Sequence, residues 1–442
     1  MGIRNMAMKA KAARVQLAAV DGSMKNKALA AIAQALVHNQ DEIETANQRD
    51  IKNAEDANLP APLLKRLKFD AAKIQEATEG IESLQQIADP VGETLSSLEL
   101  DKGLELHKVS CPIGVIGVIF ESRPDALVQI SSLCLKSGNA VLLKGGTEAS
   151  HTNRILAQII SDATSQAGIP VGWLGLMESR TDVQQMLTLD AFIDLIIPRG
   201  SNAFVRYIMD HSRIPVLGHA DGICHVFVDK NADLGMAKKI TIDSKCQYVA
   251  VCNAAETLLV HRDIAETFLP KMKIAFETQH VEMRGCERTT NIIDILPASE
   301  ADWGTEYLDY IISIKIVDTL DQAIQHINQY GSGHTDVIVT QDRDRAEQFM
   351  DLVDSADVFL NCSTRFSDGF RFGLGAEVGI STNKIHARGP MGMEGLMIYK
   401  WRMMGNGHVV SDYTGPNAKS FTHRVMKRPI ITKTRKHEST KK

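Results

Sequence analysis

The spacing of hydrophobic positions changes character near residue 100. Residues 1–90 place apolar side chains at helical intervals among Ala, Lys, Glu and Gln, with a break at Pro60. Residues 104–110 alternate between polar and apolar, and 113–120 form a run rich in β-branched residues. Both patterns are typical of strands. The chain is therefore predicted to begin with helices and to enter a sheet just after residue 100.

Strand and helix patterns then alternate in two series along the rest of the chain. In the first series, a helical pattern over 125–136 follows Pro124 and closes at Gly138. Alternation of this kind predicts an α/β fold with parallel sheets. At least five parallel strands are expected in the first series, at 113–120, 140–143, 174–177, 192–197 and 223–228. A second sheet is expected from strands at 257–260, 312–317, 337–340 and 358–360.

Length and composition favour an ordinary multidomain protein of the cytoplasm. The chain has 442 residues, 44% of them hydrophobic, which is more than one domain usually holds. It contains no apolar run of about 20 residues and no apolar block of a signal peptide. Its seven cysteines include no CxxC pair, so neither a disulfide framework nor a metal site is expected. We expect neither a membrane nor a nucleic-acid partner.

The charge is uneven along the chain. The formal net charge is −5, yet residues 424–442 carry eight Lys and Arg against the single acid Glu438. Such a tail can contact polyanions. A solvated, disordered end is the simpler interpretation, because residues 416–442 offer few apolar side chains to bury.

Two predicted strand-to-helix junctions carry the small residues that a phosphate or sugar needs for close approach. One is the run Lys144, Gly145, Gly146 and Thr147, and the other is Arg199-Gly-Ser201. Helix N-termini bind anions, and ligands of open α/β sheets lie at the carboxyl ends of strands. Neither run matches a known phosphate-binding signature, so an ordinary tight turn remains an alternative at each.

One cysteine has the setting of a nucleophile. Cys252 lies in a polar-flanked turn between a predicted helix and a predicted strand, whereas Cys111, Cys134 and Cys224 lie within apolar patterns. A thiol has a pKa of about 8.5, so a few per cent is thiolate at neutral pH and can attack an acyl group. A small buried side chain is the alternative for every one of these cysteines.

Several segments together resemble the gamma-glutamyl phosphate reductases, a family of the aldehyde dehydrogenase superfamily. They follow the family's order over most of the chain: GVIFESRPD at 117–125, GNAVLLKGG at 138–146, IPRG at 197–200, PVLGHADGICH at 215–225, CNAAETLLVH at 252–261 and KIHARGPMG at 384–392. The resemblance implies reduction of glutamyl 5-phosphate to glutamate 5-semialdehyde, a step of proline biosynthesis. The implied fold joins a Rossmann-type cofactor domain, an α/β catalytic domain and a small β oligomerisation element.

The resemblance also assigns residues to the nucleophile and the cofactor. It implies that Cys252 forms the thioester and that Lys144, with Gly145 and Gly146, contacts the adenosine side of NADPH. It implies that Gly200 and Ser201 lie under the nicotinamide and that Glu306 holds its ribose. Relatives that prefer NAD often have a glutamate where this chain has Thr147, so NADPH is the expected cofactor. An ordinary solvated edge is the alternative for Glu306.

Further residues are implied to handle the substrate. Ser122 occupies the place of the superfamily's oxyanion-hole asparagine, and Arg123 is expected to meet the acyl phosphate. Arginine suits bidentate recognition of oxyanions, so we expect the α-carboxylate and α-amino groups to be bound by Arg365 with Ser363, Thr364 or Asp368. Asn253 is also expected to bind the substrate. Leu217 stands where aldehyde dehydrogenases that release acids carry a glutamate base. A surface salt bridge is the alternative for each arginine.

The implied domains are a cofactor domain over 1–229, a catalytic domain over 230–395 and an oligomerisation segment over 396–415 that joins 103–113. An exposed strand edge there favours a homodimer or tetramer. A glutamate 5-kinase that delivers the unstable acyl phosphate is a candidate partner.

Two rival functions remain at this point. The first is a dehydrogenase that oxidises a free aldehyde to an acid, against which the residue at 217 argues. The second is a non-catalytic scaffold acting through the basic tail, against which Cys252, Lys144 and the Gly200-Ser201 pair argue.

Overall fold

Helices dominate the first hundred residues, and parallel strands organise the remainder. The computed structural model describes residues 2–121, 123–218, 221–374 and 377–426. The chain divides into two compact units. The described residues of the first lie within Met1–Gly200, Ile208–Val216 and Gly392–Lys442, and those of the second within Ser201–Tyr207 and Leu217–Met391.

The described residues form fourteen α-helices. They are α1 (Ile3–Leu17), α2 (Gly22–His38), α3 (Gln40–Asp56), α4 (Ala61–Leu67), α5 (Ala71–Gln86), α6 (Pro124–Ser137), α7 (Ser150–Gln166), α8 (Arg180–Met186), α9 (Asn202–His211), α10 (Leu234–Cys246), α11 (Arg262–Thr278), α12 (Glu287–Thr290), α13 (Leu320–Tyr330) and α14 (Arg343–Leu352).

Seventeen strands accompany them among the described residues. They are β1 (Thr94–Asp101), β2 (Leu104–Pro112), β3 (Val115–Ile119), β4 (Ala140–Lys144), β5 (Leu174–Met177), β6 (Leu195–Pro198), β7 (Cys224–Val228), β8 (Ala255–His261), β9 (Glu282–Gly285), β10 (Leu296–Pro297), β11 (Ile311–Val317), β12 (Thr335–Val339), β13 (Asp357–Leu360), β14 (Gly379–Ser381), β15 (Gly389–Met391), β16 (Met397–Met404) and β17 (Arg424–Val425).

The first unit is built around a parallel sheet of four strands in the order β5-β4-β3-β6. Every residue of β3 and β4 is buried, as expected where helices cover both faces of a parallel sheet. The predicted helix after Pro124 is confirmed as α6, which ends at Gly138 with φ at +76°. Glycine suits this left-handed cap because it has no Cβ. The helical lead-in is confirmed as α1 to α5.

An antiparallel sheet in the order β16-β2-β1-β17 forms the rest of the first unit's strands. The predicted pairing of the segment near residue 104 with the chain after Leu396 is confirmed, because β2 pairs with β16 from Pro112↔Met397 to Glu105↔Met404. The Asn139 amide donates to Leu396 O at 2.8 Å, and its carbonyl accepts from Gly114 N at 2.8 Å. These bonds tie the strand arm to the unit's parallel sheet.

The second unit contains a seven-stranded parallel sheet in the order β10-β9-β11-β8-β7-β12-β13. One hydrophobic cluster joins the sheet to α10 and α11, and another joins it to α13 and α14. A short hairpin of β14 and β15 completes the unit.

One prediction needs correction. The sequence places the strand at 223–228 in the first series, but β7 pairs with β8 and β12 in the second unit's sheet, which leaves four strands in the first parallel sheet. Its apolar residues fit either sheet equally, so their pattern cannot select the partner. The second compact unit begins its main span at Leu217, and the domain bounds implied by the resemblance stay a prediction.

Candidate active site

The candidate cofactor residues of the first unit lie at the carboxyl edge of its parallel sheet. Lys144 ends β4, and Gly200 follows β6 by two residues. Both strands flank β3, with Ile119 paired to Lys144 on one side and to Pro198 on the other. The chain runs outward from β3 through β4 to β5 and returns to the opposite side at β6. Such a switch point leaves a crevice where ligands of α/β sheets bind.

Lys144 is a buried cation in an acidic neighbourhood. Its ammonium donates to Gly145 O, and only 6% of the residue is exposed. Burial lowers the pKa of Lys144, while the nearby Glu148 carboxylate acts in the opposite direction. Burial, reinforced by Glu148, raises the pKa of Glu121. Arg180 adds a second cation close to Lys144.

The two glycines after Lys144 lie close to neighbouring side chains. A Cβ at Gly145 would overlap the Asn153 amide, and one at Gly146 would overlap the Glu148 carboxylate. Thr147 is exposed and opens a short 3-10 turn before α7. These glycines therefore allow a tight turn that leaves Thr147 accessible at the sheet edge.

Cys252 belongs to the second unit and lies where the sequence predicted, in the turn between α10 and β8. Its side chain is half-buried. Gly222, which approaches β7 from the amino side, presses against this turn so closely that an added Cβ would lie 2.6 Å from Cys252 Cβ. The thiol is thereby held at the amino edge of the seven-stranded sheet.

Two side chains at the same edge contact the cysteine. His334, the residue before β12, is buried, and its Nε2 lies 3.2 Å from Cys252 Sγ. Cys224, the first residue of β7, donates its thiol to Cys252 O at 3.2 Å. Burial raises the pKa of Cys224 well above the ordinary value, so Cys224 stays a neutral thiol.

The predicted substrate residues of the second unit converge beside Cys252. The Asn253 amide donates to Ser367 O at 2.7 Å, and Thr364 N donates to Ser244 Oγ at 3.1 Å. Ser363 Oγ caps the same turn by accepting from Arg365 N at 3.2 Å. Segments more than a hundred residues apart therefore meet here.

Arg365 carries the positive charge of this cluster. Only 9% of the residue is exposed, and its Nε donates to Gln247 Oε1 at 2.9 Å. Burial and the neighbouring Arg371 lower the pKa of Arg365, whereas Cys252 and Asp368 raise it. The guanidinium thus lies within electrostatic range of the thiol.

Glu306 also belongs to the second unit, where it accepts a hydrogen bond from Asn202 Nδ2 at 2.6 Å. The same amide donates to Asp221 at 2.9 Å, and Arg206 pairs with Asp221 at 2.6 Å. Asn202 begins α9, and Ser201 is the residue before this helix. Glu306 is therefore half-buried and held in place, rather than a free solvated edge.

Two predicted residues remain. Ser122 lies outside the described residues. Arg123 is 44% exposed at its side chain and pairs with Asp125 at 2.7 Å, at the start of α6. In the described conformation its charge is matched locally.

Sequence reasoning did not select several residues that build the cysteine's surroundings, namely His334, Gly222, Cys224, Gln247, Ser244 and Ser367. Each contacts the site across a long sequence separation. The one available signal was a histidine placed immediately before an apolar strand at 335–339.

A survey of the described residues finds no group of three or more His, Cys, Asp or Glu that could hold a metal ion. Over the same residues, every helix is too short or too polar to cross a membrane.

Comparison with known proteins defines the class first. A model described as "Aldehyde dehydrogenase family" matches residues 2–308. An engineered glycolyl-CoA reductase with bound NADP⁺ shares the fold, at a TM-score of 0.61 and 15% identity over 91% of this chain and 96% of its own. The protein is thus an oxidoreductase of the aldehyde dehydrogenase class.

More similar relatives narrow the class. The gamma-glutamyl phosphate reductase of Pelotomaculum thermopropionicum is 62% identical over 98% of this chain and 100% of its own length. The crystal structure of the Thermotoga maritima gamma-glutamyl phosphate reductase matches with a TM-score of 0.91 and 40% identity, over 92% of this chain and all of the other. The chain belongs to the gamma-glutamyl phosphate reductase family, as the resemblance predicted.

Proposed function

We propose that the protein reduces L-glutamyl 5-phosphate to L-glutamate 5-semialdehyde with NADPH, releasing phosphate, as the second step of proline biosynthesis from glutamate. The observation that carries the proposal is the half-buried Cys252 thiol beside the buried Arg365 guanidinium. A nucleophile and a fixed cation in one cluster suit an anionic acyl substrate. The names of the relatives, at up to 62% identity, support the same substrate.

In the proposed reaction, Cys252 Sγ attacks the acyl carbon of the substrate. The new C–S bond replaces the bond from carbon to the phosphate oxygen, and phosphate leaves with the thiol proton. The product is a thioester on Cys252. Hydride addition to this thioester gives the thiohemiacetal anion, whose C–S bond then breaks to release the aldehyde and the Cys252 thiolate. A proton from solvent restores the thiol. Backbone N–H of Cys252 and Ser122 are the proposed donors to the developing oxyanion.

Substrate recognition is proposed for the polar groups beside Cys252. Arg365 would bind the α-carboxylate, with the short side chain of Ser363 shaping the turn that carries it. Asn253 Oδ1 and Thr364 Oγ1 are buried and have no hydrogen-bond partner among the described residues. A buried acceptor without a partner costs free energy, and the α-ammonium group of the substrate would satisfy both. Arg123 is proposed to leave its ion pair with Asp125 and to bind the acyl phosphate instead.

The residue at 217 supports phosphate exchange over hydrolysis. Leu217 is fully buried and carries no group able to take a proton from water. A thioester without a nearby carboxylate base persists longer against water. The proposed enzyme therefore transfers its acyl group to phosphate in the reverse direction instead of releasing an acid.

NADPH is proposed to bind at the carboxyl edge of the four-stranded sheet. The switch point at β3 provides a crevice there, and Lys144, Gly145, Gly146 and Thr147 would hold the adenosine side. Gly200, Ser201 and Glu306 are proposed for the nicotinamide riboside. When bound, the nicotinamide supplies the hydride. Thr147 presents a hydroxyl instead of a carboxylate, and Lys144 and Arg180 supply positive charge, which favours the 2′-phosphate of NADPH over NADH.

A homo-oligomer, dimer or tetramer, is proposed through β16. This edge strand exposes large apolar side chains on both faces, with Trp401 at 54% on one face and Met404 at 51% on the other. Exposed apolar edge strands usually acquire a cover. Direct delivery of the acyl phosphate by a glutamate 5-kinase is a further proposal.

The test is the phosphate dependence of NADP⁺ reduction with glutamate 5-semialdehyde. Wild type is compared with Cys252→Ala and with Cys286→Ala, a half-buried cysteine of the same unit, as matched control. We expect turnover that requires phosphate, is lost by at least about 1,000-fold in Cys252→Ala and persists in Cys286→Ala. Turnover without phosphate would contradict the proposal and indicate hydrolytic oxidation. Phosphate-dependent turnover in Cys252→Ala would reject the nucleophile.

A further inference from the structure

The nucleophile has a histidine neighbour to which the proposed reaction assigns no role. His334 Nε2 lies 3.2 Å from Cys252 Sγ, a normal hydrogen-bond distance to sulfur. The imidazole is fully buried, and its residue is fixed at the amino end of β12 between two neighbouring strands of the sheet. The contact is therefore set by the fold and not by a mobile side chain.

The other ring nitrogen has its own partner, which orients the imidazole. Nδ1 lies 2.8 Å from Thr335 Oγ1 and 3.8 Å from Cys224 Sγ, and the Thr335 hydroxyl donates to Asp357 Oδ2 at 3.5 Å. Because the hydroxyl proton is directed to the carboxylate, the hydroxyl oxygen is left to accept from Nδ1–H. This tautomer leaves the Nε2 lone pair facing the thiol.

Asp357 is itself held firmly. Ser367 Oγ donates to Asp357 Oδ2 at 2.6 Å, and the residue is 8% exposed. The same Ser367 supplies the carbonyl that fixes Asn253 at 2.7 Å. The chain of contacts from Cys252 through His334 and Thr335 to Asp357 thus returns to the nucleophile's own loop.

We propose that His334 is a catalytic residue that accepts the Cys252 proton as the thiol attacks, with Thr335 as the positioning residue that fixes its tautomer. The inference deepens the proposed function and rests on it for the identity of the acyl substrate. As the C–S bond forms, the thiol proton passes to Nε2, and the imidazolium then gives that proton to the departing phosphate. The same histidine returns to its neutral form before the hydride step, so each turnover leaves it unchanged.

Several other titratable or charged groups lie near this pair or interact with its neighbours Cys224 and Arg365. They are Cys224 of β7, the Lys245–Glu256 pair of α10 and β8, Asp336 of β12, Asp357 of β13, and Arg365, Asp368 and Arg371 of the loop after β13.

Arg365 is the competing explanation for an activated thiol, since its charge also favours a thiolate. The two contributions separate by substitution, because a guanidinium stays charged at every pH used whereas a histidine titrates near neutrality. Removing His334 should therefore change the shape of the plot of Cys252 alkylation rate against pH. Removing Arg365 should shift that plot along the pH axis and keep the part that depends on the histidine.

The experiment measures the rate at which iodoacetamide alkylates Cys252 from pH 5 to pH 10, without substrate or cofactor. Peptide-resolved mass spectrometry separates Cys252 from the other six cysteines. Wild type is compared with His334→Gln, which keeps a polar side chain of similar reach, and with His151→Gln as a histidine control in the first unit. Thermal unfolding of each variant reports whether it is folded.

We expect the alkylation rate at pH 7 to fall roughly tenfold in His334→Gln, toward that of an ordinary thiol with a pKa of about 8.5. The rates should converge near pH 10, where any thiol is ionised, and His151→Gln should match wild type. An unchanged profile in folded His334→Gln would overturn the proposal. If His334→Gln does not fold, Thr335→Val takes its place, with a smaller slowing at pH 7 expected and a wild-type profile overturning the inference.

Failure of this inference and failure of the proposed function give different results. A slowed alkylation in His334→Gln, combined with no phosphate-dependent turnover in wild type, would reject the substrate assignment and leave the Cys252–His334 pair standing. Phosphate-dependent turnover with an unchanged alkylation profile would do the reverse.

Discussion

The two sheet edges that carry the candidate residues are built in different ways. At the carboxyl edge of the four-stranded sheet, the candidate residues follow directly from strand ends, as Lys144 does from β4 and Gly200 from β6. At the amino edge of the seven-stranded sheet, Cys252 meets a histidine that is 82 residues away in the chain. The first edge is organised by local turns, and the second by contacts between distant segments.

This difference has a chemical counterpart. The first edge offers accessible backbone, an exposed hydroxyl at Thr147 and the buried Lys144 ammonium, which suits binding of a large nucleotide. The second edge buries polar side chains around one thiol, and each buried group needs a partner at hydrogen-bond distance. Binding tolerates small shifts of a turn, whereas a reacting sulfur must be held within fractions of an ångström. We expect substitutions at the second edge to cost more.

Apart from replacement of Cys252 itself, the largest expected effect comes from Gly222→Ala. The added methyl group would lie 2.2 Å from Cys252 O and 2.6 Å from Cys252 Cβ, so the cysteine turn must shift relative to His334 and Arg365. A displacement of about 1 Å costs roughly 100-fold in rate. We expect phosphate-dependent NADP⁺ reduction to fall by about that factor, with the unfolding transition retained.

Gly304→Ala is the control for this change, because nothing lies within 4 Å of a Cβ added there. It should keep the wild-type rate. A wild-type rate in Gly222→Ala as well would mean that the cysteine turn is not fixed by close packing, and the contrast between the two edges would no longer hold.

A smaller effect is expected from Thr147→Glu at the first edge. The new carboxylate would repel a 2′-phosphate by roughly 1–2 kcal/mol in a solvent-exposed setting, so the KM for NADPH should rise about tenfold while that for NADH changes little. Steady-state kinetics with both cofactors make the comparison.

Thr147→Gln controls for side-chain size without adding charge, and it should leave the ratio of the two KM values near that of wild type. Equal losses with NADPH and NADH in Thr147→Glu would show that residue 147 does not lie beside the 2′-position.

The sequence was informative where structure depends on neighbouring residues. Pro124 and Gly138 delimit α6 because one restricts its own φ and the other accepts a positive φ. Cys252 could be placed in a turn because a helix and a strand pattern bracket it. The family motifs then assigned it a role that the local pattern alone could not.

Patterns failed where a tertiary partner decides the outcome. The apolar sequence of β7 does not identify the sheet that the strand joins. The sequence around His334 likewise does not show that a thiol lies 3.2 Å from its side chain. The sequence of the segment from 280 to 305 has no helical or strand periodicity, yet the segment contains β9, α12 and β10. Contacts between side chains at separate positions stabilise this segment, and the periodicity of the sequence does not predict such contacts.

Asp302 tests whether contacts between distant side chains stabilise the segment from 280 to 305. Its substitution has the smallest expected effect on activity. Asp302 accepts hydrogen bonds at 2.7 Å from Arg284, Tyr307 and both the backbone and hydroxyl of Ser299. Burial alone would raise the pKa of Asp302, but these donors outweigh it and hold the pKa well below the ordinary 3.8. Asp302→Asn should lower the free energy of unfolding by about 2–3 kcal/mol at pH 7, the usual cost of losing bonds to a buried charge.

The sign of the pH dependence follows from the depressed pKa. The carboxylate contributes its stability above pH 3.8, the ordinary value, and loses it as pH falls toward the lower pKa of the folded state. Urea midpoints should therefore differ between wild type and Asp302→Asn at pH 7 and pH 5 and converge as pH falls below about 3. The exposed Asp351→Asn should follow wild type throughout. A constant difference at all pH values would mean that side-chain shape, and not the carboxylate's charge, orders this segment. The seven-stranded sheet would then depend less on polar contacts between distant residues than its contrast with the four-stranded sheet implies.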